Sequence, residues 1–385
     1  MPDAVAHDDR GTLHVALREL VVERVRNLGH LELEPAPGLN LIAGDNGQGK
    51  TSILEAIYLV ATSRSFRTSR LAQVVAHGAN AASIRAAVVE LDGAAAADAP
   101  PGYVRHQSIG LDGARRVLRL DGEPPVSLAH YATRTPVVVF HPAELELSTG
   151  APAARRELLD RVSLFQAPET SRHRAAYARA LRARRELLRQ GSGARELDAF
   201  EAVLAEHGAA LCRRRARACE TLAVEATAAF ARLAPPELAL GVRYEPGGSP
   251  DPEQARAELL RGRARDVGRP SPRFGPHHDD LGLTLDGRPA RQVASQGQHR
   301  ALTMALKLAE LGCIAAARGL EPILLLDDVS SELDRARSTA LFALLGAGLG
   351  QVFVTTARPD LLADLPTGMS FRSFRVARGA LVPAA

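Results

Sequence analysis

An α/β fold, a mixed sheet with helices interrupted by a helical stretch, is what this 385-residue sequence predicts. Three observations carry that expectation. Apolar runs of strand length stand toward both ends of the chain, at residues 39–43 and 137–140 and again at 322–326 and 351–355. Between Pro152 and Pro235-Pro236 the apolar spacing changes to three and four, the period of a helix. The run at 39–43 also leads directly into a glycine-rich turn and then a helix-forming segment.

Taken in order, residues 13–23 and 31–33 alternate as strands do, and 39–43 form a short buried strand. Residues 51–60 read as the helix that follows the glycine-rich turn. Further strands are expected at 88–91 and 108–111, separated by a loop that begins at Asp92-Gly93 and runs through alanines to Pro100-Pro101. Residues 137–140 form a buried strand ahead of His141-Pro142. Pro152 suits the first turn of a helix over 153–165. Thr170 or Ser171 caps a second helix, striped by Tyr177, Leu181 and Leu188 and ended by Gly191-Ser192-Gly193. A third carries Leu197, Phe200, Leu204, His207 and Leu211 as a packing seam, which predicts a compact helical hairpin with His207 as a core or edge residue. Strand pattern returns from Gly275, with alternation at 281–285, a helix over 297–311 and buried strands at 322–326 and 351–355. The expected spans are a head over residues 1–150, a helical arm over 151–270, and the rest of the head over 271–385.

The glycine-rich turn is the phosphate-cradling pattern G-x-x-x-x-G-K-[ST]. Its residues Gly44, Asp45, Asn46, Gly47, Gln48, Gly49, Lys50 and Thr51, with Ser52, are the candidate ATP-binding set. Glycines let several backbone N–H groups converge on phosphate oxygens, and the following helix N-terminus adds its positive dipole. Of 48 basic residues only Lys50 and Lys307 are lysine. A chain that uses arginine almost everywhere has a compact ammonium where a phosphate point charge is wanted. The apolar run 323–326 ends in Asp327-Asp328, a strand tipped by two carboxylates. With Thr51, Asp327 is expected to hold Mg²⁺. Lys50 and Asp328 are the candidate catalytic residues, Asp328 by polarising the attacking water.

Bulk properties narrow the rest. With 46% hydrophobic and 24% charged residues this is the composition of a soluble protein, without a run of 18 apolar residues or a leader pattern at the start. Three cysteines, none in C-x-x-C spacing, fit neither a disulfide framework nor zinc, and a reducing cytoplasm is expected. Residues 151–273 hold 23 arginines against 16 carboxylates, a local +7 in a chain of net +4. That points to an anionic partner such as nucleic acid, with Arg182, Arg185, Arg213, Arg214 and Arg215 as candidate phosphate contacts, against solvated arginines paired with Glu186 or Glu220. At 4% aromatics a base-stacking platform is not expected.

Ser295-Gln296-Gly297-Gln298 stands 32 residues before Asp327, at a helix start, and resembles the signature of ABC ATPases. Ser331 and Asp334, after the paired carboxylates, match the D-loop of the same superfamily. The expected fold is thus an ABC-type P-loop ATPase head interrupted by a helical insert. The resemblance implies an ATP-dependent homodimer in which each signature closes on the partner's nucleotide. No Asn-Lys-x-Asp base reader of GTPases occurs, and the helical stretch is too short for a chromosome-structure rod.

The chain further resembles the RecF family of bacterial DNA repair and recombination proteins. The matching runs include Val25-Arg26-Asn27-Leu28, Leu54-Glu55-Ala56-Ile57, Arg64-Ser65-Phe66-Arg67, Phe140-His141-Pro142, Arg155-Arg156-Glu157-Leu158-Leu159-Asp160 and Gly275-Pro276-His277-His278-Asp279-Asp280-Leu281. His278 departs from the family's usual arginine there, and Thr355-Thr356 stands where transporters carry a switch histidine. This resemblance implies an ATP- and DNA-binding protein of recombinational repair and replication-fork maintenance that acts at single-strand gaps to help load recombinase, slow hydrolysis that serves as a switch, and RecR and RecO as partners. The alternatives are a DNA-binding scaffold or clamp for which ATP is only a conformational ligand, or another ABC-type ATPase.

Overall fold

The computed structural model describes residues 13–92, 103–113, 115–191, 193–235, 237–267, 272–328, 350–357 and 371–382. The described chain divides into two compact units, one running up to His141 and resuming at Arg318, the other spanning Pro142–Ala317. In the first unit come β1 (Leu13–Val25), β2 (Leu28–Leu33), β3 (Leu39–Ala43), α1 (Lys50–Thr62), β4 (Ala81–Asp92), β5 (Arg105–Asp112), β6 (Arg115–Leu120), α2 (Leu128–Ala132) and β7 (Val137–Phe140). The second unit holds α3 (Glu146–Thr149), α4 (Pro152–Gln166), α5 (Thr170–Gln190), α6 (Ala194–Leu233), β8 (Leu240–Glu245), α7 (Pro252–Asp266), β9 (Asp280–Leu285), β10 (Arg288–Pro289), α8 (Ala290–Val293) and α9 (Gln296–Arg318). The first unit resumes with β11 (Leu320–Glu321), β12 (Ile323–Leu326), β13 (Val352–Thr356), β14 (Phe371–Ala377) and β15 (Ala380–Val382).

Two sheets enclose α1. One is ordered β11-β1-β4-β5-β6 with β2 on β1, and the other β15-β14-β3-β13-β12-β7. In the second, β3, β13, β12 and β7 run parallel. Parallel strands are covered on both faces, so they read as unbroken apolar runs. Val137–Phe140 and Ile323–Leu326 are buried at every position. Helix α1 is buried along almost its whole length, with Ile53, Leu54, Ile57 and Leu59 in one cluster with residues of both sheets. Each such side chain contributes about 1.5–3 kcal/mol by leaving water.

In the second unit α5 and α6 form the expected hairpin, with Tyr177, Ala180, Leu204, Leu211, Ala255 and Leu259 in its core. Phe200 departs from the expected seam and is 36% exposed. α5 is capped by neither Thr170 nor Ser171. Thr170 is its first helical residue, and its hydroxyl donates to the Ser163 carbonyl. His207 is partly buried and meets His173, Nδ1 to Nδ1, at 2.9 Å. The hairpin core also holds buried charge. Arg184 is sandwiched between Glu201 (2.8 Å) and Asp266 (2.9 Å).

The break between units falls at 141/142 and 317/318, away from the expected 150/151 and 270/271. Strand β9 pairs with β8, and Lys307 on α9 pairs with Glu144 at 3.5 Å and Glu310 at 2.5 Å. These bonds draw both 142–150 and 271–317 into the helical unit. The expected loop through Pro100-Pro101 falls mostly outside the described residues. No helix among the described residues is long and apolar enough to cross a membrane.

Candidate nucleotide site

The glycine-rich loop joins the carboxyl end of β3 to the first turn of α1, where a parallel sheet presents ligand sites. Gly49 caps α1 at φ 117°, a left-handed conformation that glycine adopts without strain, and a Cβ there would approach Leu28 to 3.0 Å. At Gly44 a Cβ would meet the Val376 carbonyl oxygen at 2.4 Å. Side chains are thus excluded where the backbone must come close. Lys50 is buried, and its Nζ donates to the Gly44 (2.7 Å) and Asp45 (2.9 Å) carbonyls across the loop, leaving a third donor.

Asp327 emerges at the end of β12. Its carboxylate accepts from the Thr51 hydroxyl at 2.9 and 3.0 Å and from the Thr355 hydroxyl at 2.8 Å. Thr355 lies on β13, between the strands of the loop and of Asp327, and its oxygen accepts from the Asp328 N–H at 2.9 Å. Burial pushes the Asp327 pKa up, against the lowering effect of the two threonine hydroxyls. A buried carboxylate beside a hydroxyl is a hard-oxygen pair suited to Mg²⁺, so the residues present fit that ion. Asp328 is held at φ 51°, an uncommon backbone for a residue with a side chain, and lines the same cleft.

That cleft, of about 720 Å³, is lined by the loop, Thr51, Asp327 and Asp328 together with Arg26, Asn27, Arg67, Gln73 and His77. Read from the sequence, these last five residues had no assigned role. Asn27 brackets the loop, donating to the Gly47 carbonyl (3.1 Å) and accepting from the Ser52 hydroxyl (2.9 Å). Gln48 is fixed by the Arg378 and Gly379 amides at 2.6 and 2.9 Å. The available signal was Glu55, a lone charge inside the apolar run of α1, which called for buried cationic partners.

Ser295 opens α9 in the helical unit. Its hydroxyl accepts from the Gln298 N–H at 3.3 Å, and the Gln298 side chain accepts from the Ser295 N–H at 2.7 Å. This reciprocal pair is a capping box, with Gln296 and Gly297 between its members. Ser331 and Asp334 lie outside the described residues.

The arginine candidates divide. Arg182 and Arg185 are exposed on α5. Arg213 is exposed and donates to the Pro250 carbonyl, and Arg214 pairs with Glu169 at 2.8 Å. Arg215 is a correction to the sequence reading. It is 7% exposed, holds Asp160 at 2.8 and 3.0 Å and Asp279 at 2.8 Å, and is unavailable to DNA. Burial opposes its charge, yet Asp160 and Asp279 outweigh that and raise its pKa. A run of three arginines on a helix turns about 100° per residue, so one of them faces inward. Glu186 is taken by Arg189 at 2.6 Å. Arg155 holds Asp280 at 2.7 and 2.9 Å, and Tyr244 donates to Asp279 at 2.6 Å. His278 meets the Pro272 carbonyl at 2.8 Å. Burial lowers His277 to about 4.

The family model described as the RecF/RecN/SMC N terminal domain matches residues 16–375. A DNA replication and repair protein RecF of Anaeromyxobacter sp. (strain Fw109-5) is 39% identical over 376 residues, covering 95% of this chain and 99% of the relative. Its counterpart from Frankia alni is 36% identical over 389 residues, covering 96% and 99%. A solved structure of the recombination mediator protein RecF with ATP, in the RecFOR pathway, superposes with a TM-score of 0.83 at 28% identity, covering 96% and 99%. An Smc head domain from Pyrococcus furiosus shares the fold at a TM-score of 0.54 and 15% identity, covering 95% of each chain.

Proposed function

This chain belongs to the RecF family of DNA replication and repair proteins, and from that premise we propose that it is a slow Mg²⁺-dependent ATPase whose ATP-bound dimer engages DNA at single-strand gaps. The observation that carries the reading is the convergence of Lys50, Thr51, Asp327 and Thr355 at the mouth of the glycine loop. Lys50 and the loop amides take the β- and γ-phosphates. Thr51 and Asp327 hold Mg²⁺, which neutralises phosphate charge when bound. Asp328 orients the attacking water. Its short side chain and the threonine at 355 suit slow turnover. In the dimer, Ser295, Gln296, Gly297 and Gln298 offer a helix N-terminus to the partner's nucleotide, Ser295 exchanging its capping bond for phosphate. The D-loop positions Ser331 and Asp334 belong to the same contact. RecR and RecO, partners in the pathway that names the solved relative, are proposed here too, in the cytoplasm.

Asp328→Asn is expected to keep Mg·ATP binding, slow hydrolysis by roughly a hundredfold and let ATP-bound dimers accumulate in light scattering. Unchanged turnover would take the water-orienting role from Asp328. The same short carboxylate favours a second reading, in which ATP acts only as a conformational ligand. Single-turnover hydrolysis with and without DNA separates the two.

DNA contacts are assigned to the exposed arginines Arg182, Arg185 and Arg213 and to the half-buried Arg214, on double-stranded DNA beside a gap. Each phosphate contact adds about one unit to the log–log salt slope. Reversing Arg182, Arg185 and Arg213 to Glu is expected to flatten the slope by about three units with ATP binding intact. A slope that stays put moves the DNA surface off the helical arm.

A further inference from the structure

Glu55 is one turn and a half along α1 from Lys50 and is wholly buried. Four donors converge on its carboxylate. Arg26 takes both oxygens, Nε at 2.9 Å and Nη2 at 2.8 Å. Arg67 adds one bond at 3.2 Å and the Ser65 hydroxyl another at 2.5 Å. Arg26 and Arg67 both line the nucleotide cleft, as Lys50 does. Their side chains are 21% and 42% exposed, so each guanidinium is anchored at the back and open at the front.

The arrangement also reaches the loop. Arg26 is held at φ 55°, and its neighbour Asn27 bonds Gly47 and Ser52. The two-residue turn that pairs Val25 with Leu28, and the Arg26 N–H on the Val74 carbonyl at 2.7 Å, hold that left-handed backbone, and the bidentate bond to Glu55 fixes the side chain that leaves it. One carboxylate faces two guanidiniums, so the wall keeps one net positive charge toward the cleft.

We propose that Glu55 is a positioning residue for nucleotide binding: it fixes Arg26, and through it Asn27 and the phosphate loop, and holds Arg67 on the cleft wall. This rests on the reading of the cleft as an ATP site. Charge and position predict opposite signs. Removing a negative charge near a triphosphate strengthens binding by electrostatics alone, whereas losing the anchor weakens it.

The test is a double-mutant cycle of Glu55→Gln and Arg67→Gln, read as Mg·ATP affinity by calorimetry on folded protein. Glu55→Gln is expected to weaken ATP about tenfold, with little further loss when Arg67→Gln is added. Tighter or unchanged affinity in Glu55→Gln, or fully additive losses, would overturn the proposal. Should Glu55→Gln fail to fold, Glu55→Asp decides, since it keeps the charge and shortens the reach to Arg26 and Arg67. A weaker ATP affinity supports the proposal and an unchanged one overturns it. A wild-type chain that binds no ATP would instead overturn the functional reading and this inference with it.

Discussion

Lys50→Ala is expected to remove measurable ATP binding. The ammonium sits buried at the centre of the loop, with two of its three donors on the Gly44 and Asp45 carbonyls. A triphosphate placed there without it meets backbone amides but no adjacent point charge. The guanidiniums of Arg26 and Arg67 are tied to Glu55 and do not replace it. Losing one partner of a partly buried charged contact costs about 3–5 kcal/mol, or roughly a thousandfold in Kd. Lys50→Arg should keep part of the binding and less of the turnover, because a planar fork fits a cradle shaped for a point charge poorly. Isothermal titration decides it. Wild-type affinity in Lys50→Ala would end the nucleotide assignment.

Arg215→Ala is expected to destabilise the helical unit by about 3–5 kcal/mol. The side chain is the cation between the buried carboxylates of Asp160 and Asp279, and it also donates to the Pro276 carbonyl at 2.5 Å. Alanine leaves both carboxylates desolvated, with Arg174 at 3.5 Å from Asp160, and the neutral Tyr244 hydroxyl (2.6 Å) and Gly247 N–H (2.8 Å) left on Asp279. The midpoint of denaturant unfolding should fall at unchanged slope. A wild-type midpoint would mean that neither carboxylate needs this partner. Reversing the whole Arg213–Arg215 run would therefore lose DNA binding by unfolding, which is why the DNA test above leaves Arg215 in place.

The strand-loop-helix of the nucleotide site was legible because its signals are local. Glycines at fixed offsets, one lysine and a helical apolar run all lie within 25 residues. The paired carboxylates were legible because four buried apolar residues lead straight into them. The outward or inward facing of the arginines was not legible. Arg213, Arg214 and Arg215 are identical in type, and only the packing of α6 against Asp160 and Asp279 separates the last from the others. Strands β6, β8, β14 and β15 went unread, since Arg115–Leu120 and Phe371–Ala377 are rich in arginine and half exposed.

By itself the sequence determined the phosphate loop, the carboxylate-tipped strand, the helical interruption and the family. Each rests on residues close in the chain, whose chemistry is set by spacing. Only the tertiary structure decided that Thr355 bridges Asp327 and Asp328, that Asn27 brackets the loop, and that Glu55 gathers Arg26 and Arg67. Those partners are 12 to 29 residues apart or lie on separate strands. A buried charge must be met by an opposite one, but which one meets it is settled by how the sheets fold over α1, and no local pattern records that.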